Sequence, residues 1–143
     1  MKMKQDFNRK ISIVVRNDLP NWQVLNTVAH ISAYFGNKLG ENFNPMGADF
    51  TTKDGIGYPR NTQYAIIVLS AEPNEMRDFM KSVREARMDN MAFFREMIET
   101  TDDEEIQKIV GGKEDKDVEY LGIGIFGEND KVKELTKRFS LWK

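Results

Sequence analysis

Cysteine is absent from the 143 residues, which removes disulfide staples, thiolate nucleophiles and zinc–thiolate centres and suits a reducing compartment. Histidine occurs once, at His30, so no second histidine or cysteine is available to share a metal with it. No charge of one sign dominates: 21 Lys and Arg stand against 23 Asp and Glu, a formal net charge of −2. The molecule as a whole therefore offers polyphosphate no general attraction, which disfavours tRNA as a partner without removing it. A run of roughly 18 apolar residues is also missing, and no apolar stretch long enough for a signal peptide follows the polar start MKMKQDFNRK. The expectation is a cytoplasmic protein with no membrane contact. Phosphate loop, GxGxxG and nucleophile elbow are all absent, and no cofactor or metal is implied.

What is present is enough apolar material, 40% of the residues, for one packed domain spanning residues 1–143. Ile11-Ser12-Ile13-Val14-Val15 is a β-branched run too continuous for a half-exposed strand, so it predicts a strand covered on both faces. From Trp22 the pattern changes. Val24, Leu25, Val28, Ile31, Tyr34 and Phe35 recur at helical spacing behind Pro20, predicting a helix over roughly 21–38. Residues 1–9 read as a flexible tail, and 40–62, rich in Gly, Pro and Asn without a sustained period, as a long loop placed to act as a lid.

Tyr64 to Leu69 predicts a second buried strand, and Pro73 opens an amphipathic helix through Met76, Phe79, Met80 and Val83. Met91 to Phe94 and Tyr120 to Phe126 read as strands three and four, the last with two glycines that signal a close backbone approach. Between them Thr101 and Glu104 have capping-box spacing, and Gly111-Gly112 is a stop. Asn129 or Asp130 caps a final helix, and Phe139 to Trp142 can add a fifth, edge strand. Strand–helix alternation predicts an α/β fold with a mixed, mainly parallel sheet of four or five strands. Charge is unevenly spread. Ten acidic side chains against three basic ones lie between Glu96 and Glu119, a block that reads first as a solvated face.

Ligands of parallel α/β sheets collect at the carboxyl ends of strands, and Arg16, Asn17 and Asp18 stand there after strand one. Gln23, Asn26, Thr27 and His30 follow at helical spacing and line one polar edge. Both features keep plain alternatives. Arg16 and Asp18 can simply pair with each other, His30 can be a structural histidine, and Trp22 can be a core anchor or a dimer contact.

Val14-Val15-Arg16-Asn17-Asp18-Leu19, followed by a helix bearing Ala29-His30, resembles the opening of type II peptidyl-tRNA hydrolases. Asp18 to Asn26, D-L-P-x-W-Q-x-L-N, more closely resembles a sister family of unknown function with that hydrolase-like fold, as does Tyr58-Pro59 ahead of strand two. The resemblance covers about residues 10–142. It implies a three-layer α/β/α arrangement, a homodimer, and a catalytic set in which Glu96 or Asp18 is the base and His30 and Thr100 position water or carbonyl. Arg16, Trp22 and Asn26 then bind a small-molecule or aminoacyl-type substrate. The hydrolase lysine in the turn before helix one has no counterpart in Leu19 to Gln23. Two readings follow: a hydrolase of an acyl ester or amide, or a non-catalytic small-molecule-binding module in which Trp22 and Tyr58 give flat apolar surface under the 40–62 cover.

Overall fold

The structure, a computed structural model, describes residues 5–143. Its centre is β1 (Arg9–Arg16), in which Ile11, Ile13, Val14 and Val15 are fully buried, as the β-branched run predicts. β1 has a neighbour on each edge: β4 (Ala65–Ala71) runs parallel to it and β6 (Tyr120–Glu128) antiparallel. β5 (Asp89–Phe94) adds antiparallel beyond β6, and β7 (Ser140–Leu141) antiparallel beyond β4, giving the order β5-β6-β1-β4-β7. The sheet is thus mixed and five-stranded, and the expectation of a mainly parallel one is overturned, since β1–β4 is its one parallel pairing.

The cause lies in β6. β1, β4 and β5 all point the same way, as strand–helix alternation predicts, but β6 inserts between β5 and β1 in the opposite direction. It converts what would have been a parallel neighbour into two antiparallel ones.

Helix α1 (Asn21–Leu39) covers one side of the sheet: Val24, Ile31 and Phe35 pack with Ile11, Ile13, Val15, Phe93, Leu121 and Phe126. A second cluster joins Met76, Phe79, Met80 and Val83 of α2 (Met76–Glu85) and Val132 of α5 (Asn129–Thr136) to Val14, Leu69, Ile123 and Ile125. The two glycines of β6 explain how α1 lies so close. Gly122 pairs with Val15 on one side and Phe93 on the other, and Gly124 with Ile13 and Met91, so both lie in a trough between bulky neighbours. A Cβ on Gly122 would meet Thr27 Cγ2 at 2.5 Å, and one on Gly124 would meet Ile31 Cγ2 at 2.2 Å. Thr27 is therefore buried under the helix and not on its polar edge, as the spacing had placed it.

Helix ends differ in detail from the expected caps. Asp102, not Thr101, caps α4 (Asp103–Gly111), accepting from the Glu104 N–H at 2.8 Å. Neither Asn129 nor Asp130 caps α5; the Asn129 amide instead donates to the Phe7 carbonyl at 2.6 Å. That contact, with Gln5 donating to the Gln63 carbonyl and Asp6 N–H to Gln63 Oε1, both at 2.8 Å, ties residues 5–8 to the domain. Of the expected flexible tail, residues 1–4 lie outside the described residues. The 40–62 segment holds a 3₁₀ turn (Gly40–Phe43) and a short hairpin, β2 (Phe50–Thr51) with β3 (Gly57–Tyr58), braced by the Arg60 guanidinium 4.3 Å from the Phe50 ring.

Two glycine substitutions, one in the β6 trough and one outside it, are expected to act with opposite signs. Gly124→Ala is expected to cost about 1–3 kcal/mol in urea denaturation, because Ile31 and Phe35 are fully buried and have nowhere to move. Gly36→Ala, inside α1, meets only Phe43 at an ordinary 3.7 Å and is expected to gain about 0.5–1 kcal/mol.

Candidate functional site

The carboxyl end of β1 carries an ion network. Arg16 grips Asp18 with both prongs, Nε to Oδ1 at 2.9 Å and Nη2 to Oδ2 at 2.7 Å, and reaches Glu119 Oε1 through Nη1 at 2.8 Å. Arg95, first residue of α3 (Arg95–Glu99), holds the same Glu119 from the other side at 3.0 and 3.2 Å and donates to Gln23 Oε1 at 3.3 Å. The simple pairing of Arg16 with Asp18 is thus what the structure adopts, with Glu119 and Arg95 as partners that spacing gave no means of finding. The two guanidinium groups, Arg95 first, hold the Glu119 carboxyl far below its ordinary range, at about 2. Hydrogen bonding to Arg16 likewise lowers Asp18, and Asp18 raises Arg16. Both carboxylates are thereby held in their ionised form, Asp18 with its two oxygens on the Arg16 guanidinium.

Glu96 sits one residue after Arg95 and is buried, its Oε1 accepting from the Lys113 ammonium. That bond raises the Lys113 pKa above the ordinary lysine value. The second oxygen, Oε2, is buried with no protein partner. Lys113 follows the Gly111-Gly112 stop, and nothing in its spacing ties it to Glu96. The four-residue separation of Glu96 and Thr100 joins their backbones, the Thr100 N–H donating to the Glu96 carbonyl at 3.0 Å, but not their side chains: the Thr100 hydroxyl donates to Glu105 at 3.0 Å.

Beside these pairs α1, β5, α3 and α4 enclose a groove of about 620 Å³. Trp22, Asn26 and His30 form its α1 wall, Met91, Phe93 and Phe94 its floor, and Met97, Ile98, Thr100, Ile106 and Val110 the opposite wall. Four of the seven site residues expected from sequence, Trp22, Asn26, His30 and Thr100, meet here; Arg16, Asp18 and Glu96 do not line it. Asn26 and His30, which helical spacing puts on one edge of α1, both line it, joined by Trp22 one turn before Asn26, whereas Gln23 and Thr27 of that expected edge do not. His30 lies flat on Phe93, ring centroids 5.1 Å apart and planes 17° from parallel. Trp22 leaves 60% of its surface exposed, which rules out the core-anchor alternative. No residue of 40–62 borders the groove, and Tyr58 is exposed on β3, so the expected cover and the expected pairing of Trp22 with Tyr58 are not found. Among the described residues no group of three His, Asp or Glu side chains is arranged to hold a metal.

Residues 9–143 match the family described as a protein of unknown function, DUF2000. The chain belongs to the DUF2000 family. The solved structure of the protein of unknown function Atu0240, from Agrobacterium tumefaciens strain C58, is similar to this DUF2000 chain with a TM-score of 0.83. The match covers 96% of this chain and 100% of that one at 21% identity, a level that speaks for the fold alone. No curated protein matches. No helix among the described residues is long and apolar enough to cross a membrane.

The network predicts a pH signature. Because the folded Glu119 carboxyl titrates below its ordinary 4.5, its stabilisation is present above pH 4.5 and is lost as pH falls from there through about 2. Solvent reaches 44% of the side chain, which keeps the effect to about 1 kcal/mol. Glu119→Gln is expected to lower stability by that amount at pH 7, and the difference between the two proteins to vanish in acid. A difference that persists at pH 2 would contradict this assignment.

Proposed function

We propose that the protein is a small-molecule-binding module whose site is the groove between α1 and the α3–α4 hairpin. The observation that carries this reading is the lining: a mostly apolar and aromatic cavity of about 620 Å³ with a few convergent hydrogen-bonding groups, Asn26, His30 and Thr100, which is the usual makeup of a ligand pocket. Asn26 is half-buried on the groove wall, where its amide can both donate to and accept from a ligand. Trp22 and the stacked His30–Phe93 pair offer flat surfaces to a ring. The two carboxylates that hydrolysis would use as base are engaged elsewhere, Asp18 by Arg16 and Glu96 by Lys113.

The reading includes a type II peptidyl-tRNA hydrolase-like, three-layer fold, supported by α1 packing in one core cluster and α2 and α5 in the other. Cytoplasmic residence is supported by the lack of cysteine. A homodimer is supported by the exposed Leu25 of α1 and Leu141 of β7, neither of which lines the groove. A tRNA partner is disfavoured, since no Lys or Arg lines the groove.

One observation favours a second reading, hydrolysis of an acyl ester or amide. Lys113 supplies beside Glu96 the cation that the turn before α1 lacks, and Glu96 Oε2 is left without a partner.

A thermal-shift screen of small molecules separates the two. A ligand at about a hundred times its Kd stabilises the folded state by about 2.7 kcal/mol, and Trp22→Ala is expected to abolish that shift without turnover of the ligand. Cleavage of an N-blocked aminoacyl-tRNA that disappears in Glu96→Gln would decide for hydrolysis instead.

A further inference from the structure

The charge around the groove names a ligand class. Among its lining residues Asp103 is the one Asp, Glu, Lys or Arg, so that His30 is the only other titratable side chain there. Asp103 opens α4, with Glu104 and Glu105 beside it in the first turn, Asp102 as the cap before it and Glu99 at the end of α3. Lys108, five residues on in α4, does not line the cavity, and Arg95 and Lys113 are held by Glu119 and Glu96. The α4 amino end would by its dipole attract anions, but three acidic residues in its first turn outweigh its half positive charge. An anionic ligand entering this cavity would lose its hydration and find no ion partner, whereas a cation would find Asp103 and a negative rim.

Trp22 adds a second, independent feature. Its indole is 60% exposed at the groove and has no cation over it, although four other cation–aromatic contacts occur in the described residues, at Tyr34, Phe50, Tyr120 and Phe139. Indole is the strongest of the natural aromatic faces for a cation.

Resting on the binding reading above, we propose that the groove takes an organic cation: a flat or aliphatic body seated among Phe93, Met91 and Met97, with a protonated amine drawn to the Asp103 carboxylate and the Trp22 face, which line the same cavity. The apolar body accounts for most of the affinity, and the amine sets the sign of the selectivity.

A matched set of probes tests it: tryptamine (cation), 3-ethylindole (neutral) and indole-3-propanoate (anion), titrated calorimetrically into the full chain. Tryptamine is expected to bind about three- to tenfold more tightly than 3-ethylindole, and indole-3-propanoate most weakly. The preference should shrink as salt rises and disappear in Asp103→Asn, an exposed position whose change leaves the groove's apolar lining intact. Equal or tighter binding of indole-3-propanoate would overturn the cation proposal while leaving the binding module standing. Failure of all three probes to bind at millimolar concentration, in a chain with wild-type circular dichroism, would overturn both.

Discussion

Everything described at the groove depends on how closely α1 approaches β6. Gly122 and Gly124 leave a trough in the middle of the sheet, and Thr27, Ile31 and Phe35 descend into it until two methyl groups and a ring edge occupy the space where a Cβ would be. Such contact fixes the rotation of α1 as well as its height, because only one set of side chains fits between Val15, Ile13, Phe93 and Met91. With Thr27 and Ile31 pointing down, Trp22, Asn26 and His30 are turned towards β5, where His30 lies on Phe93. A core packing requirement thus places one wall of the candidate site.

The opposite wall is held by charge. Arg95 begins α3 and is pinned to Glu119, at the entry to β6, while Arg16 at the exit of β1 grips the same carboxylate. Three elements meet at one acid, and Glu96 with Lys113 makes a second tie one residue further on. These contacts orient the short α3 and so the Met97, Ile98 and Thr100 side of the groove. Each of these carboxylates has a cation of its own, and of the Asp, Glu, Lys and Arg side chains Asp103 alone lines the groove.

Much of the fold was legible because its signals are local. β1, α1, α2 and β6 follow from β-branched runs and helical stripes, and the glycines of β6 announced a close approach before any partner was known. Strand direction was not legible, because insertion of β6 between β1 and β5 is a fact of pairing between segments about a hundred residues apart. The site divides the same way. Asn26 and His30 share an edge by helical period, and Arg16 and Asp18 are near enough in sequence for their pairing to be an evident alternative. Glu119 and Lys113, by contrast, carry nothing in their neighbourhoods to distinguish them from the other charges of an acidic block, and Thr27 was misplaced because a threonine at a polar spacing can equally be buried by its methyl group.

The protein has two tryptophans: Trp22, exposed at the groove, and Trp142, half-buried in the α1-side cluster and not lining the groove. Each indole N–H gives its own resonance in a ¹⁵N-labelled sample, so one serves as reference for the other. Titration with tryptamine, followed at both resonances, tests the central claim most directly. The account predicts a saturable movement of the Trp22 signal while Trp142 stays in place; a stationary Trp22, or movement confined to Trp142, would contradict it.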